Sequence, residues 1–188
     1  KRQLQFRPKP FISCVNLGSL WRSVSSLKHK TNGLIITKID GTVQSGQDYT
    51  TFKWKFFDTI DLIVEAKYTK GVWNYKLYFV KNDCLIDSSE HCFDIVDKKY
   101  YLSIKTNTLL QNSATCFGDM HRNSFRLLGE FRVQIDDQQP IVWCSLEKWR
   151  KDKQVANDHA TIDQTLKNSK DSVSINDLLS ITDTKMYS

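Results

Sequence analysis

Ile60-Asp61-Leu62-Ile63-Val64, a turn near Thr69-Lys70-Gly71, and then Val72-Trp73-Asn74-Tyr75-Lys76-Leu77-Tyr78-Phe79-Val80 form the stretch that decides the fold. β-Branched and aromatic residues dominate it, and Ile60, Leu62 and Val64 recur with a period of two. Two strands joined by a turn are predicted, with Trp73, Tyr75 and Leu77 alternating onto one face as core. Downstream, residues 100–104 read as a further strand. Residues 127–135 and 141–146 read as a last hairpin around Asp136-Asp137-Gln138-Gln139-Pro140. Between these lie a polar stretch at 83–97 and a predicted long loop at 107–125. Several short strands separated by turn residues predict a small barrel or sandwich.

Upstream, Phe52-Lys53-Trp54-Lys55-Phe56 alternates lysine with aromatic, which puts both lysines on one face of a strand and the aromatics on the other. Residues 34–39 are apolar and β-branched, a predicted buried strand, with turn residues at Asp40-Gly41 and Ser45-Gly46. Leu20, Val24 and Leu27 make one apolar stripe of a predicted helix over 18–29. Residues 1–12 contain Arg7-Pro8-Lys9-Pro10 and read as extended, because proline blocks helix and biases its predecessor toward extended geometry. In the tail, Asp158 is a predicted cap for a helix through Ile162, Thr165 and Leu166. Ser174 opens a second capping pattern before Asp177-Leu178-Leu179.

The 188 residues are 40% hydrophobic, 26% charged and 12% aromatic, enough apolar material to exclude disorder over the whole length. One ordinary domain or two small ones fit. The net charge is +6, but eight bases precede the first acid, Asp40, and the remainder holds 19 bases against 21 acids. A basic amino-terminal segment suggests phosphate-bearing partners. The sequence contains no charged-then-apolar leader and no apolar run long enough to span a bilayer. A start at Lys1 suggests an excerpt of a longer polypeptide. The five cysteines are scattered and odd in number, which favours free thiols in a reducing compartment.

Three short runs stand out in order: Asn32-Gly33-Leu34-Ile35, Phe52-Lys53-Trp54-Lys55 and Arg150-Lys151-Asp152-Lys153. Singly, each has a plain structural explanation: a turn before a strand, the wet face of an amphipathic strand, and a solvated loop. Jointly they resemble the fourth, fifth and sixth motifs of the covalent nucleotidyltransferases, specifically the guanylyltransferase module of mRNA capping enzymes. There the motifs read Asp-Gly-Leu-Ile, Leu/Phe-Lys-Trp-Lys and Arg-x-Asp-Lys. The connecting text is similar too. Lys9-Pro10-Phe11, Asp58-Thr59-Ile60-Asp61-Leu62, and Asn157-Asp158 followed by Thr161 resemble segments of capping enzymes of large cytoplasmic DNA viruses or cytoplasmic linear plasmids. Residues 66–126 match only in layout.

The resemblance implies a mixed α/β end of a nucleotidyltransferase domain over residues 1–62. An OB-like antiparallel β-barrel with C-terminal helices would follow over 63–188. It implies transfer of GMP from GTP through a lysyl-GMP intermediate to the 5′ diphosphate end of RNA, with Mg2+ or Mn2+ as cofactor. Lys53 and Lys55 would reach the α-phosphate region. Arg150 would chelate phosphate oxygens with its planar fork, and Lys153 would add a point charge. Asp152 would orient the leaving pyrophosphate or its metal, or hold Arg150 and Lys153 in place. Asn32 and Gly33 would lie beside the nucleotide. Expected partners are GTP, the 5′ end of nascent RNA, and triphosphatase and methyltransferase domains on the same chain or a partner, with no membrane. The expected location is the cytoplasm, including a viral factory or virion.

Two departures qualify the match. The family's nucleophilic Lys-x-Asp-Gly is spelled by Lys38-Ile39-Asp40-Gly41, but this lies directly after the fourth motif and reads as a strand-end turn. The first and third motifs are therefore expected on a preceding part of the polypeptide. Asn32 replaces the family's metal-side Asp, and an amide is a poor Mg2+ ligand beside a carboxylate. Two alternatives stand beside the capping reading: a non-catalytic RNA-binding or regulatory OB module derived from such an enzyme, and an ATP-dependent DNA ligase fragment. A zinc site drawn from Cys84, His91, Cys92, Cys116 and His121 lacks a Cys-x-x-Cys knuckle. A Cys144–His159 nucleophile pair has no support in the sequence.

Overall fold

A computed structural model describes residues 11–24, 26–27, 31–42, 45–46, 48–106 and 124–184. The basic Arg7-Pro8-Lys9-Pro10 segment, most of the predicted 107–125 loop, Cys116 and His121 lie outside the described residues. The chain divides into two units, residues 1–34 with 172–188, and residues 35–171.

In the first unit a 3-10 turn, Cys14–Asn16, leads into α1, Leu17–Val24. The helix is shorter than the 18–29 predicted. Leu27 falls beyond its end and is exposed, and Leu17 is the buried residue instead. The last helix, Ile175–Thr184, packs against α1 and the 3-10 turn. Its start is a reciprocal capping box: Asp177 N–H donates to Ser174 Oγ at 3.2 Å, and Ser174 N–H donates to Asp177 Oδ2 at 2.8 Å.

The second unit is built on a seven-stranded sheet. Its strands are β3 (Thr59–Thr69), β4 (Val72–Lys81), β5 (Cys84–Asp87), β6 (Phe93–Ile95), β7 (Lys98–Ile104), β8 (Ser124–Asp136) and β9 (Ile141–Trp149). The spatial order is β5-β4-β3-β8-β9-β7-β6. Neighbours are antiparallel except β7 and β9, which run parallel with Leu102 opposite Val142. The sheet curls into a half-barrel, so β4 also touches β7 although three strands separate them in the order. The concave side holds the core: Ile60, Leu62 and Val64 of β3, Leu77 and Phe79 of β4, Phe131 and Val133 of β8, and Val142, Cys144 and Leu146 of β9. Period-two alternation thus holds in the central strands as the sequence predicts. The helix α2 (His159–Lys170) covers this side, burying Ile162 and Leu166 one turn apart. Asp158 caps it, accepting from Thr161 N–H at 2.8 Å, which satisfies an amide of the first turn that has no partner within the helix. Gly129 lets strands β8 and β9 pack here, since an added Cβ would lie 2.7 Å from Leu146 and 2.9 Å from Phe131.

Two further expectations are corrected. The polar stretch 83–97 contains strands β5 and β6 and a 3-10 turn, Ser88–Glu90. They are short, and two-residue turns with positive φ at both positions close them: Asn82-Asp83 before β5 and Val96-Asp97 after β6, as Lys70-Gly71 closes β3 onto β4. Mirror-image turns of this kind match the twist of the strands they join. The apolar run 34–39 is not a buried strand. Among the described residues β1 (Gly33–Thr37) pairs only with β2 (Thr51–Lys55), in a separate two-stranded sheet. Such a ribbon leaves one face uncovered, and Ile35 is 64% exposed.

The turn at Val96-Asp97 carries strain. Val96 is β-branched, sits at φ 47°, and is exposed, a combination that costs of order 1 kcal/mol. Val96→Asn is expected to raise the unfolding free energy by about 1 kcal/mol and the thermal midpoint by roughly 3 °C, read by thermal denaturation. An unchanged or lower midpoint would contradict this reading of the turn.

A second stability prediction concerns a knot of rings between the sheet and α2. His91 meets His159 edge-on at 4.9 Å and Phe79 at 5.3 Å, and His159 stacks on Phe93 at 5.1 Å. The His91 Nε2 is buried with no hydrogen-bond partner among the described residues. Burial, followed by the nearby charges of Lys81 and His159 and opposed by Asp94, holds His91 below its ordinary value of 6.5. The unfolded chain therefore takes up the proton first, so stability is full above pH 6.5 and declines as pH falls toward the folded-state value. The thermal midpoint is expected to drop over that window, and His91→Leu to flatten the drop.

Candidate phosphate-binding site

The densest charge cluster sits on the convex face of the sheet, and strand parity explains it. On β3 the even residues face the core, so Asp61 faces out. On β8 Phe131 and Val133 face the core, so Glu130 faces out. Asp61 and Glu130 are direct register partners, and like charges directly opposite repel. On β9 the core residues are Val142, Cys144 and Leu146, so unbroken alternation would send Lys148 and Arg150 inward. A register shift between Glu130 and Phe131 prevents this: Phe131 pairs with Leu146 but Glu130 pairs with Lys148, leaving Glu147 as an extra residue. The bulge re-aims the side chains beyond it. Lys148 and Arg150 come to the convex face beside the two carboxylates.

Arg150 is the hub. Its Nη1 donates to Asp61 Oδ1 at 3.1 Å and Oδ2 at 3.2 Å, and to Glu130 Oε2 at 3.3 Å. Its Nε and Nη2 donate to the two oxygens of Asp152 at 2.9 and 2.8 Å. Lys153 Nζ donates to Asp61 Oδ2 at 2.7 Å, and Lys148 Nζ lies 3.1 Å from Glu130 Oε2. Asn157 brackets Asp61 from the backbone side, accepting from its N–H at 2.6 Å and donating to its C=O at 2.8 Å. Three acids face three bases.

These contacts set the protonation states. Burial pushes Glu130 upward, but hydrogen bonds from Lys148 and Thr59 and the charges of Lys148 and Arg150 outweigh it and hold the carboxyl below its ordinary value. The hydrogen bond from Arg150 holds Asp152 down at about 2. The same contact, with Asp61 and Glu130 behind it and burial opposing, raises the Arg150 guanidinium above its ordinary value. Glu130 and Asp152 are thereby held as carboxylates and Arg150 as a cation near neutrality. The carboxylates face cations, so the cluster does not fit a divalent metal ion. Among the described residues no group of three or more His, Cys, Asp or Glu could hold one.

Of the residues singled out in the sequence, Arg150, Asp152 and Lys153 come together. Asp152 contacts Arg150, whereas Lys153 is held by Asp61. Lys53 and Lys55 lie exposed on β2, and Trp54 packs edge-on against Phe56 at 5.4 Å on the other face. Among the described residues no hydrogen bond or ion pair links these lysines to the Arg150 cluster. Asn32 and Gly33 belong to the first unit. Lys38-Ile39-Asp40-Gly41 forms the expected strand-end turn: Gly41 N–H donates to Lys38 C=O at 3.1 Å, and Lys38 and Asp40 make a surface ion pair at 3.4 Å. Cys144 is wholly buried, and burial pushes its thiol to about 12, which makes it no nucleophile at neutral pH.

Asp61, Glu130, Lys148 and Asn157 are the members that sequence reasoning did not select as site residues. One signal was present for Asp61: it is the lone acid in the otherwise apolar run from Ile60 to Val64. No protein-family model matches the chain, and no curated protein matches it.

Asp61 is largely buried and carries contacts from two cations. Asp61→Ala is expected to lower the unfolding free energy by about 2 kcal/mol, and Asp152→Ala, whose side chain is 69% exposed, by clearly less. Chemical denaturation of the two variants reads the order; equal losses would show that the inner contacts are not the stronger ones.

Proposed function

We propose that the chain is part of an mRNA guanylyltransferase, the C-terminal part of a module that moves GMP from GTP through a lysyl-GMP intermediate to the 5′ diphosphate end of RNA. In this reading residues 1–62 end the nucleotidyltransferase domain. Residues 63–188 form an OB-like domain, its barrel an elaboration of the curled seven-stranded sheet, and its tail carries helices. One observation supports it most. The segments that resemble capping enzymes downstream of the fifth motif are Asp58–Leu62 and, far along the chain, the closely spaced Arg150–Lys153 and Asn157–Thr161. They meet in a single hydrogen-bonded cluster through Asp61, Arg150, Lys153 and Asn157. Segments noted for their resemblance and order along the chain thereby share one cluster, although no hydrogen bond or ion pair among the described residues links Lys53 and Lys55 to it.

The chemistry suits such a unit. Guanylyl transfer demands positioning and neutralisation of phosphate oxygens more than covalent work by acids and bases. Arg150 supplies a planar fork and Lys153 a second cation for the β- and γ-phosphates. Lys53 and Lys55, one pleat repeat apart on β2, supply two cations for the α-phosphate region. The nucleophilic lysine belongs to a different segment of the full polypeptide. GTP and the 5′ end of RNA are the partners, with Mg2+ or Mn2+ accompanying the nucleotide, in a cytoplasmic or virion setting with triphosphatase and methyltransferase activities nearby.

A second reading, a non-catalytic RNA-binding module of the same descent, is favoured by Asn32 in place of the metal-side carboxylate. Incubation of the full-length polypeptide with labelled GTP or ATP separates the readings. Covalent GMP is expected. Covalent AMP would indicate a ligase, and RNA binding without any adduct would indicate the regulatory module. Lys53→Ala and Arg150→Ala are each expected to abolish labelling; normal labelling in either variant would overturn the site assignment.

A further inference from the structure

Arg150 presents two edges, and they are occupied very differently. The Nη1 edge points at Asp61 and Glu130, whose side chains are 9% and 14% exposed. The Nε–Nη2 edge is the side-on fork that takes a carboxylate or phosphate through two parallel hydrogen bonds. It holds Asp152 at 2.9 and 2.8 Å. Asp152 is 69% exposed and stands two residues from the arginine it covers. The fork that an incoming phosphate requires is thus filled by the chain's own carboxylate, while the inner edge is tied to the sheet.

We infer that Asp152 is a built-in competitor: it masks the Arg150 fork, and a polyphosphate binds by displacing it and joining Arg150 to Lys153. This deepens the phosphate-handling role proposed for the cluster and rests on it. The two edges differ in what displacement costs. Asp61 and Glu130 are shielded, are register partners, and would repel each other without Arg150. They hold the guanidinium in place throughout. The Asp152 contact is a solvent-exposed ion pair, and such pairs contribute little against water and salt. A ligand with several phosphate charges outcompetes one carboxylate, yet a ligand with a single weak anionic group meets a fork already filled. Tethering explains why so weak a contact still masks, since a carboxylate two residues away is present at high effective concentration. Asp152 stays ionised down to about pH 2, so the mask is set by ligand charge and not by pH across the neutral range. Lys153 has three donors on a side chain 37% exposed, one of them directed to Asp61.

The test uses the full-length polypeptide and inorganic tripolyphosphate as probe, by titration calorimetry at fixed ionic strength. Asp152→Ala and the near-isosteric Asp152→Asn are each expected to bind tripolyphosphate about fivefold tighter than the parent chain. Asp152→Ala combined with Arg150→Ala is expected to lose that gain. The masked fork also predicts that the parent chain discriminates against inorganic monophosphate more strongly than the Asp152 variants do. Unchanged or weaker tripolyphosphate binding in both single variants, or no binding in any form, would overturn the inference. The labelling experiment reports separately on the proposed function. Normal GMP labelling with no gain in the Asp152 variants sinks the mask alone, whereas AMP labelling or none at all sinks the guanylyltransferase reading whatever the titration shows.

Discussion

Two carboxylates, Asp61 and Glu130, stand directly opposite each other on adjacent strands of the convex face. That pairing is unfavourable by itself, and the surrounding structure answers it. A bulge on β9 turns Lys148 and Arg150 outward, Lys153 arrives from the segment after β9, and Asn157 clamps the Asp61 backbone. The same Asn157 passes its carbonyl to the Val80 N–H at 3.0 Å and is followed by the cap of α2. Neutralising the carboxylate pair therefore also fixes where the chain leaves the sheet and where the helix that covers the core begins. Charge balance on the outside and closure of the core on the inside are joined through one short segment, residues 150–158.

This coupling explains why the cluster was only half visible in the sequence. Arg150, Asp152 and Lys153 lie within one four-residue run and stand out together. Their acidic partners do not, because Arg150 meets Asp61 across 89 residues and Glu130 across 20. The meeting depends on strand register and on one extra residue that no periodicity announces. The central strands were readable for the opposite reason. β3, β4, β8 and β9 are long enough for alternation to declare itself, and the Asp136 turn and Asp158 cap use side chains suited to those jobs. β5 and β6, with four and three residues, are too short to show a period, and Val96-Asp97 does not look like a turn because a β-branched residue is out of place there. The run at 34–39 misled differently: composition shows that a strand can form but not whether anything covers it.

The lysines of β2 and the Arg150 cluster show two ways of presenting cations. Lys53 and Lys55 owe their position to strand pleating alone, with Trp54 and Phe56 packing beneath. Arg150 and Lys153 are held by carboxylates that fix their direction. A pre-oriented guanidinium loses less freedom on meeting a phosphate than a free lysine does. The fixed set thus contributes geometry and the exposed pair contributes charge.

The shortness of β5 and β6 matters beyond local pairing. Among the described residues the curled sheet ends in two edge strands, its rims, and an edge strand carries backbone donors and acceptors that its own sheet does not pair. Here the rims are strands of four and three residues, one running into a 3-10 turn capped by Asp87 and the other bearing an exposed Asp94 between its two buried residues. At the β6 rim Asp94 is exposed, whereas at the β5 rim Asp87 is held by Lys76 at 2.6 Å and β5 covers only residues 78–81 of β4. The segments hardest to read in the sequence are thus the ones that bound the half-barrel, one by a paired carboxylate and one by an exposed one.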